Sequence, residues 1–164
     1  MSMQRFIDCL TVTLGYEGGF SNDAGDPGGA TNLGIELQEW NKWKESHGEP
    51  DSSVEDFAKS LTEQDVEPIY LQNYWMKVND GSLPPPVDMA AFDSAVNLGV
   101  WEGLQYLAET ENIADPKDRA LTMCDLRIQT YHKIAENKPD EAQFLQGWLN
   151  RVNDLQDKIK AGAI

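Results

Sequence analysis

The sequence predicts a mainly α-helical fold with one small β-hairpin after the first helix, arranged as two lobes. Three observations carry that expectation. Apolar residues recur at spacings of three and four along most of the 164 residues. One glycine-rich stretch breaks the pattern: residues 18–34 hold six glycines (18, 19, 25, 28, 29 and 34) among Asn, Asp and Pro, which is turn chemistry. Asp80-Gly81 and then Pro84-Pro85-Pro86 break the chain again. That run is the candidate lobe boundary, giving residues 1–83 and 84–164 within one compact unit.

Met3, Phe6, Ile7, Leu10 and Leu14 form an amphipathic stripe, so residues 3–16 read as a helix stopped at Gly15. The hairpin is expected in the glycine-rich stretch, with Phe20 and Thr31–Ile35 flanking its turns. Leu37, Trp40 and Trp43 lie at helical spacing within 36–44. Asp51-Ser52-Ser53 reads as a cap before a short helix reaching Leu61. Thr62 and Asp65 resemble a capping box opening a helix with Val66, Ile69, Tyr70, Asn73 and Tyr74. Val87–Leu98 is apolar, rich in small residues and ends at Gly99. Asp115-Pro116 is an N-cap followed by Pro at the first helical position, and Ala120, Met123, Cys124, Arg127 and Tyr131 form its stripe. Pro139-Asp140 restarts a helix with Phe144, Leu145, Trp148, Leu149 and Val152. These stripes are expected to be core.

Composition excludes several functions. Lys plus Arg total 13 against 28 Asp plus Glu, a net charge of −15. Phosphate binding needs clustered cations, so nucleic acid is not an expected partner. No stretch has the roughly 18 apolar residues of a membrane span, and MSMQRFIDCL lacks the apolar run of a signal peptide. Synthesis in a cytoplasm, without membrane insertion, is therefore expected. Cys9 and Cys124 are too few for a disulfide framework, and a buried free thiol is the expectation for Cys9. No Cys/His spacing suggests zinc. Asp23, Gly25 and Pro27 would fill the first three ligand positions of an EF-hand loop and only one is acidic. No metal or cofactor is implied.

The chemistry concentrates in Glu17 to Ile35, EGGFSNDAGDPGGATNLGI. Glu17 follows the end of an apolar helix. The negative end of the helix dipole and the apolar face both disfavour its ionised form, which suits a general acid. Asp26 lies in a polar loop, where a carboxylate stays ionised and can orient water or stabilise an oxocarbenium-like centre. Thr31 can hold that water by its hydroxyl. Two carboxylates in different environments are what glycoside hydrolysis requires.

This segment resembles the signature of the glycoside hydrolase family 108 endolysins, the N-acetylmuramidases of phages and prophages. The resemblance rests on Glu17-Gly18-Gly19-Phe20, Asn22, Asp26-Pro27-Gly28-Gly29, Thr31 and Gly34-Ile35, in order and without gaps. It continues through Tyr70, Tyr74 and Trp75, through Phe92, Asp93, Ala95, Val96, Asn97 and Gly99, and through Gly147–Val152. It implies a lysozyme-like fold with the two lobes around a cleft. It also implies a peptidoglycan strand as substrate and cleavage of the β-1,4 bond between N-acetylmuramic acid and N-acetylglucosamine. In that mechanism Glu17 protonates the glycosidic oxygen, Asp26 assists the opposite face and Thr31 positions water, while Asn97 and Tyr74 contact sugar. A monomer released from the host cytoplasm through a holin-opened membrane, then acting at the periplasm and cell wall, goes with the same likeness. Glu109-Thr110-Glu111-Asn112 stands where the family often carries a glycine-containing loop, so residues 87–164 read mainly as the helical body. Lytic transglycosylase or N-acetylglucosaminidase activity on the same polymer is the alternative. A non-catalytic acidic binding protein is the alternative from another class.

An acidic protein gains no electrostatic capture of an anionic wall. Lysis of sacculi is expected to hold or rise as salt is raised from low to moderate concentration, because screening relieves repulsion. A turbidity assay across a salt series checks this; a steep loss would mean that clustered basic groups carry binding.

Overall fold

A computed structural model describes residues 2–22 and 29–164. The elements run α1 (Met3–Leu14), β1 (Thr31–Asn32), β2 (Ile35–Glu36), α2 (Leu37–Ser46), α3 (Val54–Ser60), α4 (Glu63–Tyr70), a π-helical turn (Leu71–Trp75) and α5 (Met76–Val78). Then come α6 (Val87–Leu98), α7 (Val100–Glu109), α8 (Pro116–Asn137), a 3-10 turn (Pro139–Phe144) and α9 (Leu145–Ala161). The chain forms two compact units, Leu10–Asn73 and Met1–Cys9 with Tyr74–Ile164. The proline run at 84–86, expected at the boundary between residues 1–83 and 84–164, lies inside the second of these. The division falls instead within α1 and within the π-helical turn.

In the hairpin unit, Leu10–Asn73, β1 and β2 pair antiparallel with Thr31 opposite Glu36 and Asn32 opposite Ile35. The hairpin is thus tighter than expected. Phe20 is not in a strand, and its neighbour Ser21 makes an isolated bridge to Thr31. Asn32 Nδ2 donates to the Phe57 carbonyl at 2.9 Å, tying the hairpin to α3. Ile35, Phe57, Val66, Ile69 and Tyr70 are buried. The caps form as the sequence predicts. Ser53 accepts from Asp56 N–H, and the Thr62/Asp65 capping box has both of its bonds. The α2 stripe does not reach the core, for α2 has no buried residue. Its polar edge is held by Ser52 instead: Trp40 Nε1 and Lys44 Nζ both donate to the Ser52 hydroxyl, at 3.0 and 3.1 Å.

In the helical unit, Phe6, Trp75 and Phe92 pack edge to face or tilted, with ring centroids 5.4 to 5.9 Å apart. Such pairs add to plain burial. α6 is buried from Val87 to Ala95, as expected for a helix apolar nearly all round. Gly103 lets α7 close on α6: a Cβ there would sit 3.0 Å from the Ala91 carbonyl and 3.1 Å from Ala95 Cβ. The predicted α8 stripe is its buried face, Ala120, Met123, Cys124, Arg127 and Tyr131. The predicted α9 stripe is half-buried at Leu145, Trp148 and Leu149, buried at Val152, and runs on at helical spacing through the buried Leu155 and Ile159, with Arg151 buried beside it. Phe144 is the exception: it ends the 3-10 turn before the helix and is exposed.

Two arginines in these stripes serve one acid. Asp93 and Arg127 are fully buried and Arg151 nearly so. Arg127 Nη1 donates to Asp93 Oδ2 at 2.6 Å; Arg151 donates to both oxygens, at 3.1 and 2.7 Å. A second bidentate pair, Arg5 to Asp88 at 2.8 and 2.7 Å, fastens α1 to α6. Burial alone would push the Asp93 carboxyl up, but Arg127 and Arg151 outweigh it and hold the group well below the usual carboxylate range. Burial pushes both thiols, Cys9 and Cys124, up to about 12.

These shifts fix the pH window of stability. A depressed carboxyl contributes stability that is complete above its ordinary value of 3.8 and lost as pH falls. Raised thiols contribute stability that is complete below their ordinary value of 9.0 and lost as pH rises toward about 12. Thermal melts are expected to show a plateau between these limits and falling Tm on both sides. With Cys9→Ala and Cys124→Ala together, the alkaline fall should be shallower.

Candidate active site

Glu17 is placed by the way α1 ends. Gly15, Tyr16 and Glu17 donate their N–H groups to the carbonyls of Thr11, Thr13 and Leu14, at 3.0 to 3.1 Å. The last turn is therefore closed, and Glu17 leaves it half-buried. The β1–β2 hairpin is the second support. Its two-residue loop is Leu33-Gly34, with φ of 49° and 73°. Positive φ at both positions is the requirement of a type I′ turn, whose twist matches the strands. Leu33 pays for that backbone, at roughly 1 kcal/mol for a residue with a Cβ. The Tyr70 hydroxyl donates to the Leu33 carbonyl at 2.9 Å, which holds the turn to the end of α4.

Gly34 is needed for a further reason. A Cβ at that position would collide with the Tyr70 hydroxyl and lie 2.9 and 3.0 Å from Cγ and Cδ of Glu17. The Glu17 carboxyl therefore rests against bare backbone at the tip of the hairpin. Thr31 lies half-buried in β1 and exchanges two 2.8 Å backbone hydrogen bonds with Ser21. Helix end, hairpin and α4 thus bring Glu17, Gly34 and Tyr70 to one place, with Thr31 in the same hairpin. Asp26 lies outside the described residues. Tyr74 lies half-buried in the π-helical turn, and Asn97 lies half-buried near the end of α6.

Asn97 ends a chain of hydrogen bonds that starts at the buried acid. Arg127, held by Asp93, donates from Nε to the Tyr131 hydroxyl at 2.6 Å, and that hydroxyl donates to Asn97 Oδ1 at 2.5 Å. Trp148 stacks on the Tyr131 ring, centroids 5.3 Å apart and planes at 22°. Sequence reasoning named Asp93, Arg127 and Tyr131 only as motif or stripe residues. The signal available was a charged residue inside an otherwise apolar stripe, which marks a buried ion pair. Tyr70 and Gly34 were visible as motif residues, but their joint hold on the hairpin was not. Among the described residues no group of three or more His, Cys, Asp or Glu is placed to hold a metal ion.

The family model described as Glycosyl hydrolase 108 matches residues 10–99. The chain belongs to the glycosyl hydrolase 108 family. That places it among peptidoglycan-degrading glycoside hydrolases. The solved structure of Brucella abortus SagA is similar over 98% of this chain and 96% of that one, at 26% identity and a TM-score of 0.75. No curated protein matches. The fold is lysozyme-like, mainly helical with a small hairpin after the first helix, as the sequence predicts. In this glycosyl hydrolase 108 chain, the matched span contains the whole hairpin unit and with it Glu17, Thr31, Gly34 and Tyr70.

The glycine at the hairpin tip gives a direct test. Gly34→Ala adds a methyl where there is no room and strains a positive φ, which is expected to cost about 1–3 kcal/mol and to displace Glu17. Hydrolysis of sacculi should fall by more than the loss of folded protein, as measured by circular dichroism and turbidity on the same sample. Activity at the parent level would break the link between Gly34 and Glu17.

Proposed function

We propose that this chain is an N-acetylmuramidase that hydrolyses the β-1,4 bond between N-acetylmuramic acid and N-acetylglucosamine, with Glu17 as general acid. The observation that carries the reading is the seat of Glu17. Its carboxyl leaves a closed helix end and lies against Gly34, in a turn that Tyr70 fastens. A general acid needs a fixed geometry before it needs strength, and three elements fix this one. The motif around it supports the rest of the assignment: Asp26 as base or electrostatic stabiliser on the opposite face of the sugar, Thr31 as the holder of water, and Tyr74 and Asn97 as sugar contacts. The sequence likeness to endolysins supports a monomer that reaches the wall through a holin-opened membrane. Among the described residues no helix is long and apolar enough to cross a membrane.

In this mechanism Glu17 gives its proton to the glycosidic oxygen as the bond to the anomeric carbon breaks. Positive charge develops on the ring, and the Asp26 carboxylate either stabilises it or draws a proton from the Thr31-held water. Glu17→Gln keeps size and hydrogen bonding but removes the proton. It is expected to lower lysis of permeabilised Gram-negative cells by about 10²–10⁴-fold, with helical circular dichroism unchanged. Full activity would remove Glu17 from the role. Mass spectrometry of digested sacculi reads the bond: reducing N-acetylmuramic ends support the proposal, 1,6-anhydro ends assign a transglycosylase, and reducing N-acetylglucosamine ends assign the other glycosidic bond.

A further inference from the structure

The hydrogen-bond chain that ends at Asn97 runs outward from Arg127 through the Tyr131 hydroxyl. An arginine has donors and no acceptor and keeps its charge at any working pH, so at Arg127 Nε the Tyr131 oxygen must accept. The single Tyr131 proton is then free for one other partner, and the atom 2.5 Å away belongs to the Asn97 amide. A proton can be received there only by Oδ1, never by the NH2 group. Asn97 is thereby locked with its oxygen inward and its two N–H donors turned from the network. No acceptor for Nδ2 exists among the described residues. It is not buried either, because the buried side-chain N or O atom left without a partner among them is Arg127 Nη2. The lock is stiff: the Tyr131 ring is pinned under Trp148, and the Arg127 guanidinium is fixed by Asp93.

Resting on the reading of the substrate as a peptidoglycan glycan, we propose that Asn97 is a one-way hydrogen-bond donor that reads the acetamido carbonyl of an N-acetylhexosamine, and that Tyr131 is the positioning residue that aims it. A sugar hydroxyl both donates and accepts, so it does not need a fixed amide. An amide whose own acceptor is already taken selects for a strong acceptor, and on the sugar ring the acetamido oxygen is a stronger one than any hydroxyl. A de-N-acetylated sugar offers an ammonium in its place, which only donates and would face the Asn97 donors with nothing to share. Selection between the two forms follows from one proton in the core.

The test uses the full chain labelled with ¹⁵N. The Asn97 side-chain NH2 pair is assigned by its disappearance in Asn97→Asp. Titration with the N-acetylglucosamine tetramer should shift that pair, and the glucosamine tetramer should not. Tyr131→Phe removes the orienting proton and should weaken tetramer binding about tenfold, and Asn97→Asp should weaken it at least as much. On sacculi both should raise KM with kcat kept within about twofold, a split that a general loss of folding would not give. If Tyr131→Phe does not fold, Asn97→Asp decides by the same readouts. An unmoved Asn97 pair at millimolar N-acetylated tetramer, or equal affinity for the two tetramers, overturns the proposal. Neither result depends on whether Glu17 is the acid: a shifted pair in a chain that cleaves no sacculi would keep this inference and end the proposed activity.

Discussion

Asp93 is a carboxylate with no contact with water, and three helices meet at it. It stands on α6, and the two guanidiniums that hold it come from α8 and α9. A buried ion pair of this kind is a weak source of net stability, since desolvation cancels much of the attraction. What it supplies is uniqueness. Losing Asp93 would strand two guanidiniums in the core, at about 3–5 kcal/mol, so packings of the three helices that pull it from its arginines are penalised. The same carboxylate sets the Arg127 fork, and through Arg127 the Tyr131 hydroxyl and the Asn97 amide. A structural contact and a surface donor therefore share one chain of protons.

The hairpin unit obeys a different constraint, one of space. A type I′ turn gives a small hairpin its twist, and it needs left-handed backbone at both loop positions. Leu33 meets the need at a cost, and Gly34 meets it freely. The absence of a side chain at Gly34 is then used a second time, as the surface against which Glu17 and the Tyr70 hydroxyl come to rest. One glycine answers both for the turn and for the position of the candidate acid.

Much of this was legible in the sequence because it is local. The Ser53 cap, the Thr62/Asp65 box, the Asp115-Pro116 start and the span Val87–Leu98 depend on neighbours within four residues, and each forms as read. The α8 stripe was legible for the same reason. What failed needed knowledge of the surroundings. The α2 stripe of Leu37, Trp40 and Trp43 has helical period but no core to enter, and hydrophobic period does not say how much cover exists. Of the α9 stripe, Phe144 was misread, because it lies in the 3-10 turn before the helix and is exposed. The proline run looked like a boundary, although the compact units divide at Cys9/Leu10 and Asn73/Tyr74, inside continuous helical stretches that carry no punctuation. In the site, residue types were readable and partners were not: nothing in the spacing of Asn97 and Tyr131 says that one proton joins them.

The buried trio also changes what the chain presents to its surroundings. Asp93, Arg127 and Arg151 together carry a net charge of +1, and they are withdrawn from solvent. The remainder of the chain therefore carries −16, more than the −15 of the whole sequence. Arg5 is likewise committed to Asp88. With 13 basic residues in all, each one spent inside leaves the exterior poorer in cations. The molecule moves in solution as a polyanion with its own cloud of counterions, and its core holds positive charge that no titration of the surface would reveal.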